Sequence, residues 1–347
     1  MKMIQTVTGP VPQDQLGVIA PHEHFFCDTT LEAEPPVDAA ARALFEEKVN
    51  ETNIAAVREN PFVVRDNMLL DDLKIAEYEL SFFKKAGGRT VVDLSNVGLG
   101  RDPVKVKQLS ENTDVNIILG CGLYYALFLP EVWQTASAEK IADWMIKEIR
   151  EGIDDTGIKP GVIGEIGTSE ILYDVERRSV LAAAWANRET GLPIYIHTYS
   201  WSDVSLEAID IMTKEGVPPE QICICHMDVD IQYDYIKKVF DTGAWVEFDD
   251  FGKQYQLEKT EAAFSGGPFA YDIDRVKMLK RLVKEGYTDR LLLATDVCLK
   301  ELLHTFGGTG YDHIYTNIVP MMEQEGIDPD AIKQLIYRNP EIFLCGK

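Results

Sequence analysis

Short apolar runs that end on a glycine or a polar residue, each followed by a stretch with apolar residues three and four apart, recur along the chain. Eight of these runs read as strands, at residues 16–21, 89–94, 115–121, 161–165, 193–197, 222–226, 244–249 and 291–296. Between them the spacing predicts helices. Leu73, Ala76, Leu80 and Phe83 form one apolar stripe with Gly87 as its stop; Ile141, Trp144, Met145 and Ile149 form another with Ser137 as its N-cap. Further helices are expected over residues 175–189, 205–215, 233–241 and 273–285, and two more, 313–324 and 329–338, follow the last strand. Strands alternating with helices imply a parallel sheet, and eight of them joined by right-handed crossovers imply closure into a (β/α)8 TIM barrel.

One segment departs from the alternation. Residues 25–70 form a long insertion after the first strand, with Pro35-Pro36 and a helical stretch of mixed charge over 39–57. A long loop at that end of a barrel is expected to cover the active site. No low-complexity tract or linker interrupts the rest, so residues 1–347 are expected to form one domain, a length this fold accommodates.

Composition narrows the function classes. With 46% hydrophobic and 26% charged residues the chain has a globular profile, and no apolar run approaches the roughly 20 residues of a membrane helix. The first residues lack the apolar stretch of a secretory signal, so a cytoplasmic location is expected. A formal charge of −23 disfavours nucleic acid and anionic lipid. It leaves an anionic substrate open, because a metal centre can dominate the field inside a cleft. The six cysteines are scattered with no C-x-x-C pair, so reduced thiols are expected rather than a disulfide framework or zinc ribbon. The expected partners are a small-molecule substrate and, at most, a second copy of the chain in a homodimer.

The polar residues at the strand ends carry the chemistry. His22 and His24 close strand one, Glu165 strand four, His197 strand five, His226 strand six and Asp296 strand eight. Active sites of this fold lie at the C-terminal ends of the strands, so the six should converge. Imidazole and carboxylate suit zinc and similar divalent ions. In His22-Glu23-His24 the two imidazoles share one strand face while Glu23 points away. Buried core histidines would explain one or two of these positions but not four of only six histidines at strand ends. Asp296, after Leu291-Leu292-Leu293-Ala294-Thr295, is a buried carboxylate that needs compensation, which a metal supplies.

These segments resemble the phosphotriesterase family of the amidohydrolase superfamily. The resemblance is carried by Pro21-His22-Glu23-His24, Gly98-Leu99-Gly100-Arg101-Asp102, Gly161-Val162-Ile163-Gly164-Glu165-Ile166-Gly167, Ile196-His197, Cys225-His226-Met227-Asp228, Ala294-Thr295-Asp296 and the stretch from Phe306 to Ile314. It implies two divalent ions, zinc first with manganese also suited. His22, His24 and Asp296 would hold the more buried ion, His197 and His226 the more exposed one, and Glu165 would bridge both beside a hydroxide. Many members bridge with a carboxylated lysine. Glutamate at this position resembles the phosphotriesterase homology and phosphotriesterase-related branch, which leaves phosphotriester hydrolysis as a weak side activity.

A water bridging two divalent cations supplies hydroxide near neutral pH, and Asp296 is the natural proton acceptor and shuttle. The expected reaction is cleavage of a lactone or carboxyl ester. An N-acyl amide, of the N-acyl amino acid or N-acyltaurine type, is the alternative. A binding protein that keeps the metals without turnover is a third reading, disfavoured by the retained Asp296. Arg101, Tyr124 and Lys253 are candidate substrate contacts, with Tyr125, Asp249 and Asp250 at the same end. Arg101 could equally be tied up in a salt bridge, and Tyr124 could pack against Phe128. His304 and His313 read as loop or helix-packing residues, and Trp201 as a lid or packing aromatic.

Overall fold

The computed structural model describes residues 2–259 and 266–346. Eight parallel strands follow one another in the sheet in chain order: β1 (Val18–Glu23), β2 (Gly88–Asp93), β3 (Asn116–Cys121), β4 (Val162–Gly167), β5 (Ile194–His197), β6 (Ile222–Ile224), β7 (Trp245–Phe248) and β8 (Leu291–Leu293). The last strand returns to the first through Asp296 N–H, which donates to the His22 carbonyl at 3.3 Å. The result is a nearly closed (β/α)8 barrel, as the alternation predicts.

Several strands begin or end elsewhere than the pattern suggests. β1 runs two residues further, so His22 lies within the strand, and β4 extends past Glu165 to Gly167. β6 and β8 stop short of His226 and Asp296, which sit on the exit turns with φ of 60° and 42°. Glycine sets the spacing at the centre of the barrel. A Cβ on Gly120 would lie 2.0 Å from the Gly164 carbonyl oxygen, so only glycine lets β3 and β4 approach this closely.

The helices form where capping and stripe agree. Asp72 accepts from Lys74 N–H at 2.8 Å to start Leu73–Lys85, which buries Ala76, Leu80 and Phe83. Ser137 caps Ala138–Glu151, which buries Ile141 and Met145. Burying each such side chain stabilises the fold by roughly 1.5–3 kcal/mol. The stretch expected as one helix over 313–324 is a π-helical turn, Ile314–Ile318, running into the helix Val319–Gln324; 329–338 splits likewise into Pro329–Lys333 and Gln334–Arg338. In each case a proline follows, Pro320 and Pro340, with no N–H to complete the ordinary ladder. A closing helix that the pattern did not suggest, Asn339–Cys345, packs Phe343 edge-on against Tyr195 (5.0 Å) and Trp245 (5.4 Å) of the barrel interior.

The insertion is pinned at both ends. Cys27–Asp28 pairs antiparallel with Leu69–Leu70, so the excursion of residues 25–70 leaves and returns at one point. Its expected long helix is two short ones, Ala39–Phe45 and Ile54–Glu59. All six cysteines are free. No helix among the described residues is long and apolar enough to cross a membrane.

Candidate metal centre

His22, His24, Glu165, His197, His226 and Asp296 meet at the C-terminal end of the barrel, all of them buried. Glu165 Oε1 is 3.0 Å from His197 Nδ1, 2.7 Å from His226 Nε2 and 3.9 Å from His22 Nε2. Asp296 Oδ1 is 3.0 Å from His24 Nε2 and 3.6 Å from His22 Nε2. One carboxylate therefore reaches both halves of the cluster, and the other faces the His22–His24 half.

The donor set fits a divalent cation. His22 Nε2 is buried without a hydrogen-bond partner among the described residues, while its Nδ1 lies 3.0 Å from Glu247 Oε2 and 3.0 Å from Asp249 Oδ2. A proton held on Nδ1 by carboxylates leaves the Nε2 lone pair directed into the cluster, the arrangement that orients a metal-binding imidazole. His24 follows the same scheme, with Nδ1 3.0 Å from Ser95 Oγ, and so does His226, with Nδ1 3.1 Å from Asp249 Oδ1. The surrounding carboxylates Glu165, Glu247, Asp249, Asp250 and Asp296 outnumber Lys253, the fixed cation that pairs with two of them. Cations would neutralise that surplus.

The two ligand-type residues in left-handed backbone are each held by a buried carboxylate. Such a conformation costs an L-residue on the order of 1–3 kcal/mol. Asp249 Oδ1 accepts His226 N–H at 2.8 Å. Glu23 grips the loop around Asp296: Oε1 accepts from Thr295 N–H (3.1 Å) and Oγ–H (2.6 Å), and Oε2 from Val297 N–H (2.9 Å). Burial pushes the Glu23 carboxyl pKa up, and the bonds from Thr295 and Val297 work against that rise. Glu23 does point away from the histidines, toward the seam of the barrel.

Beside the cluster lies a partly open cavity. The insertion contributes Cys27, Thr29, Glu32 and Phe62 to its wall, so this excursion covers the site. Tyr124 and Lys253 also line it. Tyr124 both packs on Phe128 (5.2 Å) and holds its hydroxyl 3.3 Å from His197 Nδ1. The Lys253 ammonium lies 2.9 Å from Asp250 Oδ1 and donates to Asp296 Oδ2. Burial alone would lower its pKa, but Asp250 and then Asp296 hold it well above the ordinary lysine value. Burial also opposes the charge on Asp296, yet Lys253, His24 and His22 keep its carboxyl below the usual range.

Arg101 corrects the expectation of a substrate contact. Its guanidinium is buried against Glu148 of the helix Ala138–Glu151 (2.9 and 2.5 Å) and lies 3.4 Å from Asp154 and 5.6 Å from the Trp144 ring centre. It does not reach the cavity wall. His304 pairs with Asp312 and His313 with Asp272, away from the cluster. Trp201 packs on Tyr199 and on Phe269, a residue of the cavity wall. From the sequence, Glu23 has no role beyond pointing away, Asp228 and Cys298 have none, and Glu247, Tyr255 and Phe269 are not singled out. Glu247 carried a signal, a charge inside the otherwise apolar strand Trp245–Phe248.

A sequence model described as the phosphotriesterase family matches residues 2–344. The chain belongs to the phosphotriesterase family. It is 34% identical to an N-acetyltaurine hydrolase from Tetraodon nigroviridis, over 99% of this chain and 98% of that one. Among solved structures it resembles a resiniferatoxin-binding protein from Rhodobacter sphaeroides, with a TM-score of 0.94 and 33% identity, covering 99% of this chain and 94% of that one. It also resembles a lactonase from Listeria monocytogenes, with a TM-score of 0.77 and 25% identity, covering 100% of this chain and 99% of that one. Within this phosphotriesterase-family member, the buried His, Glu and Asp cluster is able to hold divalent metal, and hydrolysis is the activity that the family and its named relatives support.

Proposed function

We propose that this chain is a metal-dependent hydrolase of N-acyl amides whose amine half carries an anion, with N-acetyltaurine as the first substrate to try. The observation that carries the reading is the 33–34% identity to N-acetyltaurine hydrolases over 99% of the chain, joined to a buried lysine in the cavity wall. It reverses the order of the sequence expectation, which put lactones first.

In this reading His22, His24 and Asp296 would hold one cation and His197 and His226 the other, with Glu165, which reaches both halves of the cluster, shared between them. Zinc is the first candidate. Divalent ions bound there would supply a hydroxide near neutral pH and polarisation of the scissile carbonyl. Asp296 accepts the proton of the attacking water and delivers it to the amine leaving group. Lys253 holds the sulfonate or carboxylate of the amine half, and Asp250 keeps its ammonium charged and aimed. Cys27, Thr29 and Phe62 of the insertion form part of the cavity wall.

A lactone or ester is the second reading, favoured by the likeness to the Listeria lactonase and by the apolar wall residues Phe62, Leu99, Phe269 and Leu299. The zinc-loaded protein should be assayed against N-acetyltaurine, N-acetyl amino acids and a set of neutral lactones. A kcat/KM for N-acetyltaurine at least about tenfold above every lactone, which is ~1.4 kcal/mol of transition-state preference, supports the amide reading. The reverse order would replace it with the lactone reading.

A further inference from the structure

Behind the cavity wall, on the helix Asp272–Lys284, the Arg275 side chain is fully buried. A guanidinium in that position costs several kcal/mol unless its donors are matched; Nη2 has no hydrogen-bond partner among the described residues, so the acceptors of Nε and Nη1 say what it is for. Nε lies 2.9 Å from Asp228 Oδ2 and 3.2 Å from the Asp228 carbonyl oxygen. Nη1 donates to the Lys253 carbonyl oxygen (2.9 Å) and to Asp272 Oδ1 (3.0 Å). Asp272 Oδ1 in turn accepts Gly252 N–H at 3.0 Å.

Each acceptor leads back to the site. Asp228 Oδ1 accepts from Asp249 N–H (3.1 Å), and Asp228 Oδ2 from Asp250 N–H (3.2 Å), which fixes the turn after β7. Asp249 on that turn holds His226 by its backbone N–H and by Nδ1. The other end of the same turn is Lys253, whose backbone Arg275 grips directly. Arg275 itself lies outside the cavity lining.

We infer that Arg275 is a positioning residue that sets two groups through one turn: the imidazole of His226 on the cation side and the ammonium of Lys253 on the substrate side. The Lys253 half rests on the functional reading above; the His226 half does not. The planar fork of arginine can serve Asp228, Asp272 and the Lys253 carbonyl at once, whereas a lysine ammonium keeps the charge but not the directions. The assignment also explains why two charged residues, Asp272 and Arg275, share the buried face of this helix with Val276, Leu279 and Leu282.

The test compares three variants, loaded with zinc and challenged with a chelator while metal per chain and thermal melting are followed. Arg275→Lys and Asp228→Asn break the relay. Arg101→Lys disturbs a buried ion pair of similar kind that does not touch this turn. Arg275→Lys and Asp228→Asn should release one zinc equivalent about 10- to 100-fold faster than the parent, the usual scale for losing support behind a ligand, and the other less so, because His22 also faces Asp249 but keeps Glu247. Arg101→Lys should lower the melting temperature without that selective release. If Arg275→Lys does not fold, Asp228→Asn decides. Release at parental rates from a folded variant would overturn the inference, and so would equal acceleration of both equivalents matched by Arg101→Lys. A separate readout bears on the substrate half: KM for N-acetyltaurine should rise at least several-fold in Arg275→Lys while KM for a neutral lactone holds. If the parent hydrolyses no N-acetyltaurine, the functional reading falls and the metal-release arm still judges the His226 half.

Discussion

Glu23 Oε2 accepts a hydrogen bond from Val297 N–H at 2.9 Å, across the seam where the last barrel strand meets the first. With Oε1 on Thr295, the carboxylate clasps both neighbours of Asp296 and holds that residue in its left-handed conformation. A glutamine at this position has one acceptor where the carboxylate has two, so one buried N–H would face an amide NH2. Leaving such a donor unmet costs about 1–3 kcal/mol. Glu23→Gln should therefore melt lower than the parent and also retain zinc less well at the His24–Asp296 half. Calorimetry and metal analysis on one preparation check this; a lower melting temperature with unchanged metal retention would confine Glu23 to closing the barrel.

Lys253 should separate substrates by charge. A charge-assisted hydrogen bond is worth about 1.5–3 kcal/mol, so Lys253→Met should raise KM for N-acetyltaurine roughly 10- to 100-fold. The same substitution strips a partner from Asp250 and Asp296, which would affect every substrate alike. The informative quantity is thus the ratio between N-acetyltaurine and a neutral lactone on the same variant. An unchanged ratio would remove Lys253 from substrate recognition.

Glu165 gives the chain a ready-made carboxylate at the position where many family members form a carbamate on lysine. Metal reconstitution should then be indifferent to carbon dioxide. Apoprotein reloaded with zinc in degassed buffer should recover the same activity with and without bicarbonate, and a strong bicarbonate requirement would mean that another residue spans the two cations.

The parts of the site that the sequence discloses are those set by strand periodicity and by the rule that barrel chemistry gathers at strand ends. His197 and Glu165 follow from it directly, and the insertion of residues 25–70 was delimited where Cys27 pairs with Leu70. What stays hidden are the groups that act through others. Glu23 lies 272 residues from Thr295, and Arg275 lies 47 from Asp228. No local pattern marks either pair, because each exists only once the barrel has closed. Arg101 shows the converse: its place near the functional end was legible, but Glu148, arriving from the outer helix layer, claims its guanidinium. The apolar approach to His226 and Asp296 reads as strand, while the left-handed turn that ends each is held by Asp249 and Glu23.

Glu301 offers a pH test away from the metal ligands. It is buried beside the hydroxyl of Tyr255, which donates to it, and burial pushes its carboxyl up from 4.5 to about 7. A carboxyl whose pKa is raised by folding binds its proton more tightly in the native state, so stability falls as pH rises from the unfolded value through the folded one. The cost is fully present above about 7 and amounts to at most ~3 kcal/mol. Glu301→Gln mimics the protonated form. Its melting temperature should match the parent near pH 4.5 and exceed it by a few degrees at pH 8. A difference independent of pH across that window would mean that Glu301 does not titrate there.

Asp296 is the residue on which the catalytic reading turns. It faces His24 and His22 on one side and Lys253 on the other, so it can accept a proton and pass it on without leaving its place. Asp296→Asn keeps the size of the side chain, and the Glu23 contacts to Thr295 and Val297 do not involve the Asp296 carboxylate, so the fold should persist. Turnover should fall by ~10²–10⁴-fold, the usual range for losing a general acid–base group. One negative charge fewer weakens the hold on cations, so kcat has to be compared at saturating metal. If Asp296 were only a structural brace of the turn, the variant would lose thermal stability while turnover per folded, metal-loaded molecule stayed near that of the parent. Melting temperature, metal content and kcat measured together distinguish the two outcomes, and near-parental turnover at full metal occupancy would refute the catalytic role.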